Sequence, residues 1–534
     1  MSAESKLSPR SSSKRPKRDD DGTIAGDRIH GKRDKAWTGV VETTAVGNSS
    51  NRREKKPQGG VDILQPLDVA LRHGASGGRS WYVSTLQLQL ASLQVCGVVR
   101  GNIAVHLSIN TSTPRSVWNS FVRGERKSPE IVELPVLRVW HLEWDVHKPR
   151  LEGIVWPVYL LKLTLGRWIT QPLASVAWPS SLQQLTFGDY FNRPIENVSW
   201  PSSLQQLKFG SGFNQPIENF AWPLSLQRLM FGNNFNQPIE GVAWPSSLQQ
   251  LRFGYKFNQP IEGVAWPSSL QQLKFVGFFH RSIEGVVWPS SLQQLTFGFG
   301  FNQAIKGVAW PSSLQQLRFG HCFDQPIESV AWPSSLQELS FGACFNQPIE
   351  RVVWPLSLRQ LTFGNDFNHP IEGVAWPSSL RQLTFGDCFD QNIGRVSWPS
   401  SLQQLTFGDD FWQPIEGIAW PLSLQQLSFG NWFDHPIERV AWPSSLQQLT
   451  FGNRFNYPIE RATWPSSLQQ LTFGHNFNRP VERVAWPSSL QQLTFGHNFN
   501  QPIERVAWPS SLQQLVFRRD SDKPIVKVLG PLRS

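Results

Sequence analysis

Tryptophan followed by proline recurs from Trp156 to Trp508 at a constant 22-residue spacing, 17 times, with no insertion or deletion between copies. Counting from each Trp, Leu stands at +4 and +7 in all 17 copies, and Phe at +9 in every copy but the first, where Leu165 replaces it. A second Phe stands at +13 in 15 consecutive copies, Phe191 to Phe499. Such a repeat explains why a chain of 534 residues holds 25 Trp and 35 Phe but only two Met and five Tyr. A globular core needs different side chains at different depths, so this regularity excludes a globular domain and requires a stack of identical layers.

The unit W-P-S-S-L-Q-Q-L-T-F-G-x-x-F-N-Q-P-I-E-G-V-A also indicates the kind of layer. Gln184-Leu185-Thr186-Phe187 alternates polar and apolar, the period of a strand with one buried face, and Gly188 ends it. The remainder has Pro at both ends and Gly or β-branched residues between, which a helix would not tolerate. The expected fold is a β-rich solenoid of about 17 rungs with parallel strands on one face. Its return limb is extended or polyproline-like, with a tight turn at Pro-Ser-Ser and few or no long helices. At a strand spacing of roughly 4.8 Å the body would be on the order of 80 Å long. Each unit offers Trp, two Leu, two Phe, Ile and Val for burial, roughly 1.5–3 kcal/mol apiece. Ordering the unit costs roughly 1–2 kcal/mol per residue, so a rung folds only between neighbours. Asn follows the +13 Phe in ten of 15 copies, and its amide can donate and accept between rungs.

L-x-x-L-x-F-x-x-x-F-N resembles the leucine-rich repeat, and P-S-S-L-x-x-L is similar to the short subclass whose convex side is extended. F-N-Q-P-I, found at 213–217, 235–239, 257–261, 345–349 and 499–503, together with P-S-S-L-Q-Q-L-T-F-G, resembles the FNIP repeat family. The resemblance spans about residues 134–531. It implies a leucine-rich-repeat-like solenoid used for protein interaction. Some relatives join such repeats to an F-box, which implies as an alternative a substrate adaptor for a ubiquitin ligase; residues 61–133 carry no F-box pattern.

Both ends decay in register: Leu134-Pro135 and Gly530-Pro531 fall one repeat length outside the terminal Trp-Pro pairs. Charges at Arg518, Arg519, Asp520, Asp522 and Lys523 suit a cap. Leu86–Leu90 and Ile103–Ile109 alternate like strands, so residues 61–133 read as a β-rich N-terminal cap or eroded rungs. Residues 1–60 have a disordered composition and hold 14 Lys/Arg against 8 Asp/Glu, a net +6 of the chain's +10. Lys14, Arg15, Lys17 and Arg18 form a candidate nuclear import signal, or a basic arm that touches nucleic acid nonspecifically. The chain has four Cys, no apolar run as long as a membrane span and no apolar segment behind the N-terminal charges. These features suit an intracellular chain of nucleus or cytoplasm, outside any membrane and monomeric.

Packing leaves three columns free. The +11 and +12 pair varies most, and the strand's outward +8 position carries cations in the N-terminal half. Candidate partner-binding residues are therefore Tyr190, Lys208, Arg252, Tyr255, Lys256, Lys274, Phe278, Phe299, Arg318, His321, Trp432, Arg454, His475 and His497, on one edge and on the concave face. Exposed aromatic and Arg residues suit interaction hot spots; the alternative is neutral drift between copies. Cys322 and Cys344 share a column on adjacent rungs, with Cys388 two rungs further, and His475 and His497 stack likewise. Neither set has a third ligand in fixed register, so no metal and no cofactor are expected. Glu recurs after Ile, or once after Val481, in 13 copies, a ladder that must be solvated, with Arg351, Arg439, Arg461, Arg483 and Arg505 immediately beside some members. No phosphate loop, G-x-S-x-G or H-E-x-x-H occurs. The expected role is non-catalytic protein recognition.

Overall fold

The structure is a computed structural model and describes residues 104–110, 138–145, 151–154, 156, 159–518 and 525–528. The basic segment with Lys14, Arg15, Lys17 and Arg18, and Leu86–Leu90, lie outside the described residues. Twenty strands among them join into one sheet, and no helix occurs there. Strands β1 (Ala104–Asn110), β2 (Arg138–Asp145) and β3 (Lys162–Leu165) pair in parallel. From β4 (Gln184–Thr186) to β19 (Gln514–Phe517) one strand falls in each repeat, parallel to the one before and paired with it at equivalent positions, as Leu185 with Leu207. The closing strand β20 (Ile525–Val528) turns back and runs antiparallel to β19, so the last strand does not continue the repeat. At the other end, β1 and β2 begin at Ala104 and Arg138, a wider step than the repeat, with a bulge at Val105/His106.

Alternation holds in every rung: Leu at +7 is buried and its neighbours at +6 and +8 face solvent wholly or partly. Besides the turn at +11/+12, where the amide of Phe191 donates to the carbonyl of Gly188 (3.2 Å), the rest of the unit runs through two more turns. In the first, the amide of Leu204 donates to the carbonyl of Pro201 (3.1 Å), closing the Pro-Ser-Ser-Leu turn. In the second, the amide of Val198 donates to Ile195 O (3.3 Å). The return limb between them is extended, as the two prolines dictate.

Three ladders stitch the rungs. The hydroxyl of the second Ser donates to the carbonyl of the +4 Leu of the preceding rung, as from Ser203 to Leu182 (2.7 Å) and Ser357 to Leu336 (2.7 Å). This ladder supplies a partner to a carbonyl that the short strands leave out. The Asn after the +13 Phe works mainly through its oxygen. Asn368 Oδ1 accepts from the backbone N–H of Asp390 (3.0 Å) and from Gln391 Nε2 (2.8 Å) in the next rung. The expected donation and acceptance between rungs occur together at Asn258, whose Nδ2 donates to His280 Nε2 (2.9 Å) while its Oδ1 accepts from the backbone N–H of His280 (3.1 Å); at Asn368 the oxygen alone makes the contact. That explains why Asp324, Asp390 and Asp434 serve in the same column, each accepting the next rung's N–H at 2.8–2.9 Å. Replacing Asn368 by Asp should leave stability nearly unchanged, whereas Asn368→Leu should cost about 1 kcal/mol, read by thermal unfolding. Equal losses for both would contradict an acceptor-only role.

The third ladder is aromatic. Phe at +9 and +13 pack at 4.2 Å within a rung (Phe363–Phe367) and at 5.6 and 6.0 Å across rungs (Phe363–Phe385, Phe367–Phe389), with nearly parallel ring planes. Trp forms a column of its own against this core, at 6.1 Å for Trp178–Trp200 and edge-on to Phe187. The burial expected of every Trp is met only in part. Trp156, Trp222, Trp288, Trp354 and Trp420 are buried, and the intervening ones are half-buried. The last four are the rungs in which Leu replaces Ser at +2 or Val precedes Trp: Leu224, Val287, Val353 with Leu356, and Leu422. Bulk beside the indole coincides with its lost exposure, at an interval of three rungs.

Glycine at +10 is a steric requirement. A Cβ on Gly364 would run into the carbonyl of Gly342 and the backbone of Ala343, and the same holds along the column. The rungs approach backbone to backbone here, which no side chain permits. Two rungs depart: Arg518 stands in this column in the last rung, and where Val276 occupies it the requirement shifts to Gly277, where a Cβ would meet the backbone of Tyr255.

Candidate recognition surface

Just beyond the glycine column the chain presents the variable side chains of columns +11 and +12. Their backbone is fixed independently of their side chains. The +12 amide donates to the +11 carbonyl of the preceding rung, as Lys256 to Asn233 (2.8 Å), Phe278 to Tyr255 (2.8 Å), Trp432 to Asp409 (2.8 Å) and Asn498 to His475 (2.9 Å). Side chains can therefore change without loss of the hydrogen bonds that hold the edge. Column +8 projects from the adjacent solvent face of the sheet.

The candidate residues fall into groups. On β5 (Gln206–Lys208), β6 (Arg228–Met230), β7 (Gln250–Phe253), β8 (Gln272–Phe275), β9 (Gln294–Thr296) and β10 (Gln316–Arg318), the +8 register reads Lys208, Met230, Arg252, Lys274, Thr296, Arg318, each paired with the next. All four cations are exposed. Alongside run Tyr255, Phe278, Phe299 and His321, on consecutive rungs and exposed, with Lys256 next to Tyr255. Their rings touch in series: Tyr255–Phe278 at 4.8 Å, Phe278–Phe299 at 5.9 Å and Phe299–His321 at 4.6 Å, the last pair parallel. The aromatic row coincides with the one rung whose glycine is displaced by Val276.

Tyr190 lies apart, 5.1 Å from Trp168. Trp168 holds the +12 place of the first rung but is not among the sequence candidates; its column identifies it once the first copy's Leu165 is accepted as a Phe substitute. Trp432 is half-buried because the guanidinium of Arg454 lies 3.2 Å from its ring centroid, so these two candidates engage each other. His475 and His497 lie 6.4 Å apart between ring centroids, their planes tilted by 54°. Trp412, in the Asn column and also absent from the sequence candidates, packs 5.0 Å from His435. A groove of about 290 Å³ runs along the C-terminal half between Thr406, Ser428, Thr450 and Thr472 on the sheet and Asp409, Asn431, Asn453 and His475 on the edge.

The remaining columns behave as solvated surface or weak ligands. Glu residues of the 13-membered ladder are exposed apart from the half-buried Glu328, and Arg residues reach across rungs: Arg439 pairs with Glu416 (3.5 Å) and Arg395 with Glu372 (3.7 Å). In sequence Arg439 stands beside Glu438, yet its ion pair is with the Glu one rung back. Cys322, Cys344 and Cys388 are not in disulfide bonds. Partial burial, with Asp366, Cys322 and Asp324 nearby, raises the Cys344 thiol above its usual value, which disfavours the thiolate that a metal or an electrophile requires. Among the described residues no group of three or more His, Cys, Asp or Glu is arranged to hold a metal ion.

Comparison with known proteins agrees with this architecture. The chain is similar to CroV588, a circular leucine-rich-repeat protein, at 44% identity and a TM-score of 0.64; the match covers 72% of this chain and 57% of that one. It is also similar to a chain of the Drosophila Toll–Spatzle complex, at 13% identity and a TM-score of 0.49 over 67% of this chain and 53% of that one. A third similarity is to YopM from Yersinia enterocolitica, at 16% identity and a TM-score of 0.34, covering 70% and 91% of the two chains. The chain thus spans little more than half the length of the first two. A search of curated proteins gave no match. The model of the FNIP repeat matches eight consecutive segments of two rungs each, from 170–212 to 477–520, and the chain belongs to the FNIP repeat family.

Proposed function

We propose that this chain is a non-catalytic scaffold that binds a protein partner through the +8, +11 and +12 columns of its solenoid. The observation that carries this reading is the continuous exposed row of Tyr255, Phe278, Phe299 and His321 beside the cations of β7, β8 and β10. Rings that pack on one another are held in place before a partner arrives, so little conformational freedom remains to be lost on binding. Aromatic and Arg side chains in such a setting are the residue types that dominate interaction energies. The identical backbone of every rung supplies rigidity, and the varied edge supplies specificity.

The test is proximity labelling or co-purification with the full chain, comparing wild type with a Tyr255→Ser, Phe278→Ser, Phe299→Ser variant. These side chains are exposed at 42–43%, so the fold should survive, which circular dichroism checks. Loss of specific interactors from the variant is the expected result. An unchanged interactor list would place recognition elsewhere.

A further inference from the structure

We propose that the strip over β5–β10 receives an acidic, extended segment of the partner protein, laid across the strands; this rests on the recognition role above and names its chemistry. The cations are ordered by the register of the sheet. Lys208, Arg252, Lys274 and Arg318 occupy the +8 ladder, with Arg228 at +6 on the same face. From Lys208 to Arg318 is five strand spacings, about 24 Å, the length of about seven residues of extended chain. Over these rungs the +6, +8, +11 and +12 columns contain no Asp or Glu. The strip ends where Glu338 on the next strand pairs with Arg318 (3.4 Å).

The same columns change sign farther along. In the three rungs after Cys344, position +8 is Thr362, Thr384 and Thr406, and the edge carries Asp366, Asp387, Asp409 and Asp410. An acidic segment is therefore attracted at one place on an otherwise repetitive surface and repelled at the next, which selects its position along the array. Without this polarity, identical rungs would offer many equivalent registers.

The rings are in contact with one another before any partner arrives: Phe299 and His321 lie face to face with an interplanar angle of 3°, and the other two pairs meet edge to face. A base stacks on a free aromatic face, and the face of Phe299 turned to His321 is not free.

The test uses an eight-residue glutamate peptide as probe, titrated into the full chain at low and high salt and read by fluorescence anisotropy. Wild type should bind in a salt-sensitive manner. A Lys208→Ser, Arg252→Ser, Lys274→Ser, Arg318→Ser variant should bind about tenfold more weakly or worse. Neutralising Asp366 and Asp387 should leave binding equal or tighter. Replacing Lys14, Arg15, Lys17 and Arg18 by Ser should leave the peptide's affinity for the strip intact. Unchanged affinity in the four-cation variant, or loss of binding in the Lys14–Arg18 variant instead, would overturn the proposal. So would tighter binding of a short thymidine oligonucleotide lost in the four-cation variant, or a dimer in sedimentation that the same variant abolishes. If the peptide does not bind while the Tyr255, Phe278, Phe299 variant still loses interactors, recognition stands and only the acidic chemistry falls.

Discussion

Gly364→Ala should destabilise the middle of the array by about 3 kcal/mol, far more than a methyl group ordinarily costs. The added carbon has nowhere to go. It would meet the carbonyl of Gly342 and the Cα of Ala343, which belong to the backbone of the preceding rung and cannot rotate aside. Relief requires separating two rungs, which would weaken the inter-rung hydrogen bonds there, among them Phe341 N–H to Thr362 O at 2.9 Å. Gly373 provides the contrast. Its φ is +81° and nothing lies within 4 Å of a Cβ placed there, so Ala at 373 meets only backbone strain of roughly 1–2 kcal/mol. Other rungs already carry Arg351 or Arg395 in that column. Hydrogen exchange over residues 340–390 and thermal unfolding of both variants check the difference. Equal destabilisation by the two would show that rung contact is not what excludes a side chain from the +10 column.

Phe367→Ala should cost about 3–5 kcal/mol and divide the unfolding transition. The side chain is fully buried and sits among Phe363 (4.2 Å), Phe389 (6.0 Å), Phe345 (6.1 Å) and Phe385 (6.3 Å). Its removal opens a gap in a column whose neighbours are set by the hydrogen bonds of their own rungs and so cannot collapse into it. Because each rung contacts only the next, a defect at mid-array uncouples the two halves. Urea denaturation followed by tryptophan fluorescence should show two steps where wild type shows one. Phe499→Ala, near the C-terminal end and 8% exposed, should keep a single step, since only a few rungs lie beyond it. A single, barely shifted transition for Phe367→Ala would mean that the array does not depend on its aromatic column.

The 22-residue step, the strand at Gln-Leu-Thr and the extended limb are all legible in the sequence, because each is local. Alternation fixes which side chains of a strand face inward, and proline forbids a helix wherever it falls. A constant interval between copies leaves parallel in-register stacking as the way to bury every flank. The variable edge could be read as well, since positions free of packing duties show as variation between copies. Tyr255, Phe278, Phe299 and His321 were recognisable one by one on that ground.

Contacts between one rung and the next were not legible, since they depend on how closely two backbones approach. Gly364 is required by the carbonyl of Gly342 and Ser357 by the carbonyl of Leu336; the unit's own sequence names neither partner. The same applies to the candidate surface. Composition showed cations and aromatics, but only the register of the sheet put Lys208, Arg252, Lys274 and Arg318 in one row beside rings that touch. It also set Arg454 over Trp432 and Arg439 against Glu416. Sequence determined the repeating layer because that follows from local periodicity and steric exclusion. Tertiary structure decided which layers' side chains meet, because that follows from the offset between neighbouring backbones.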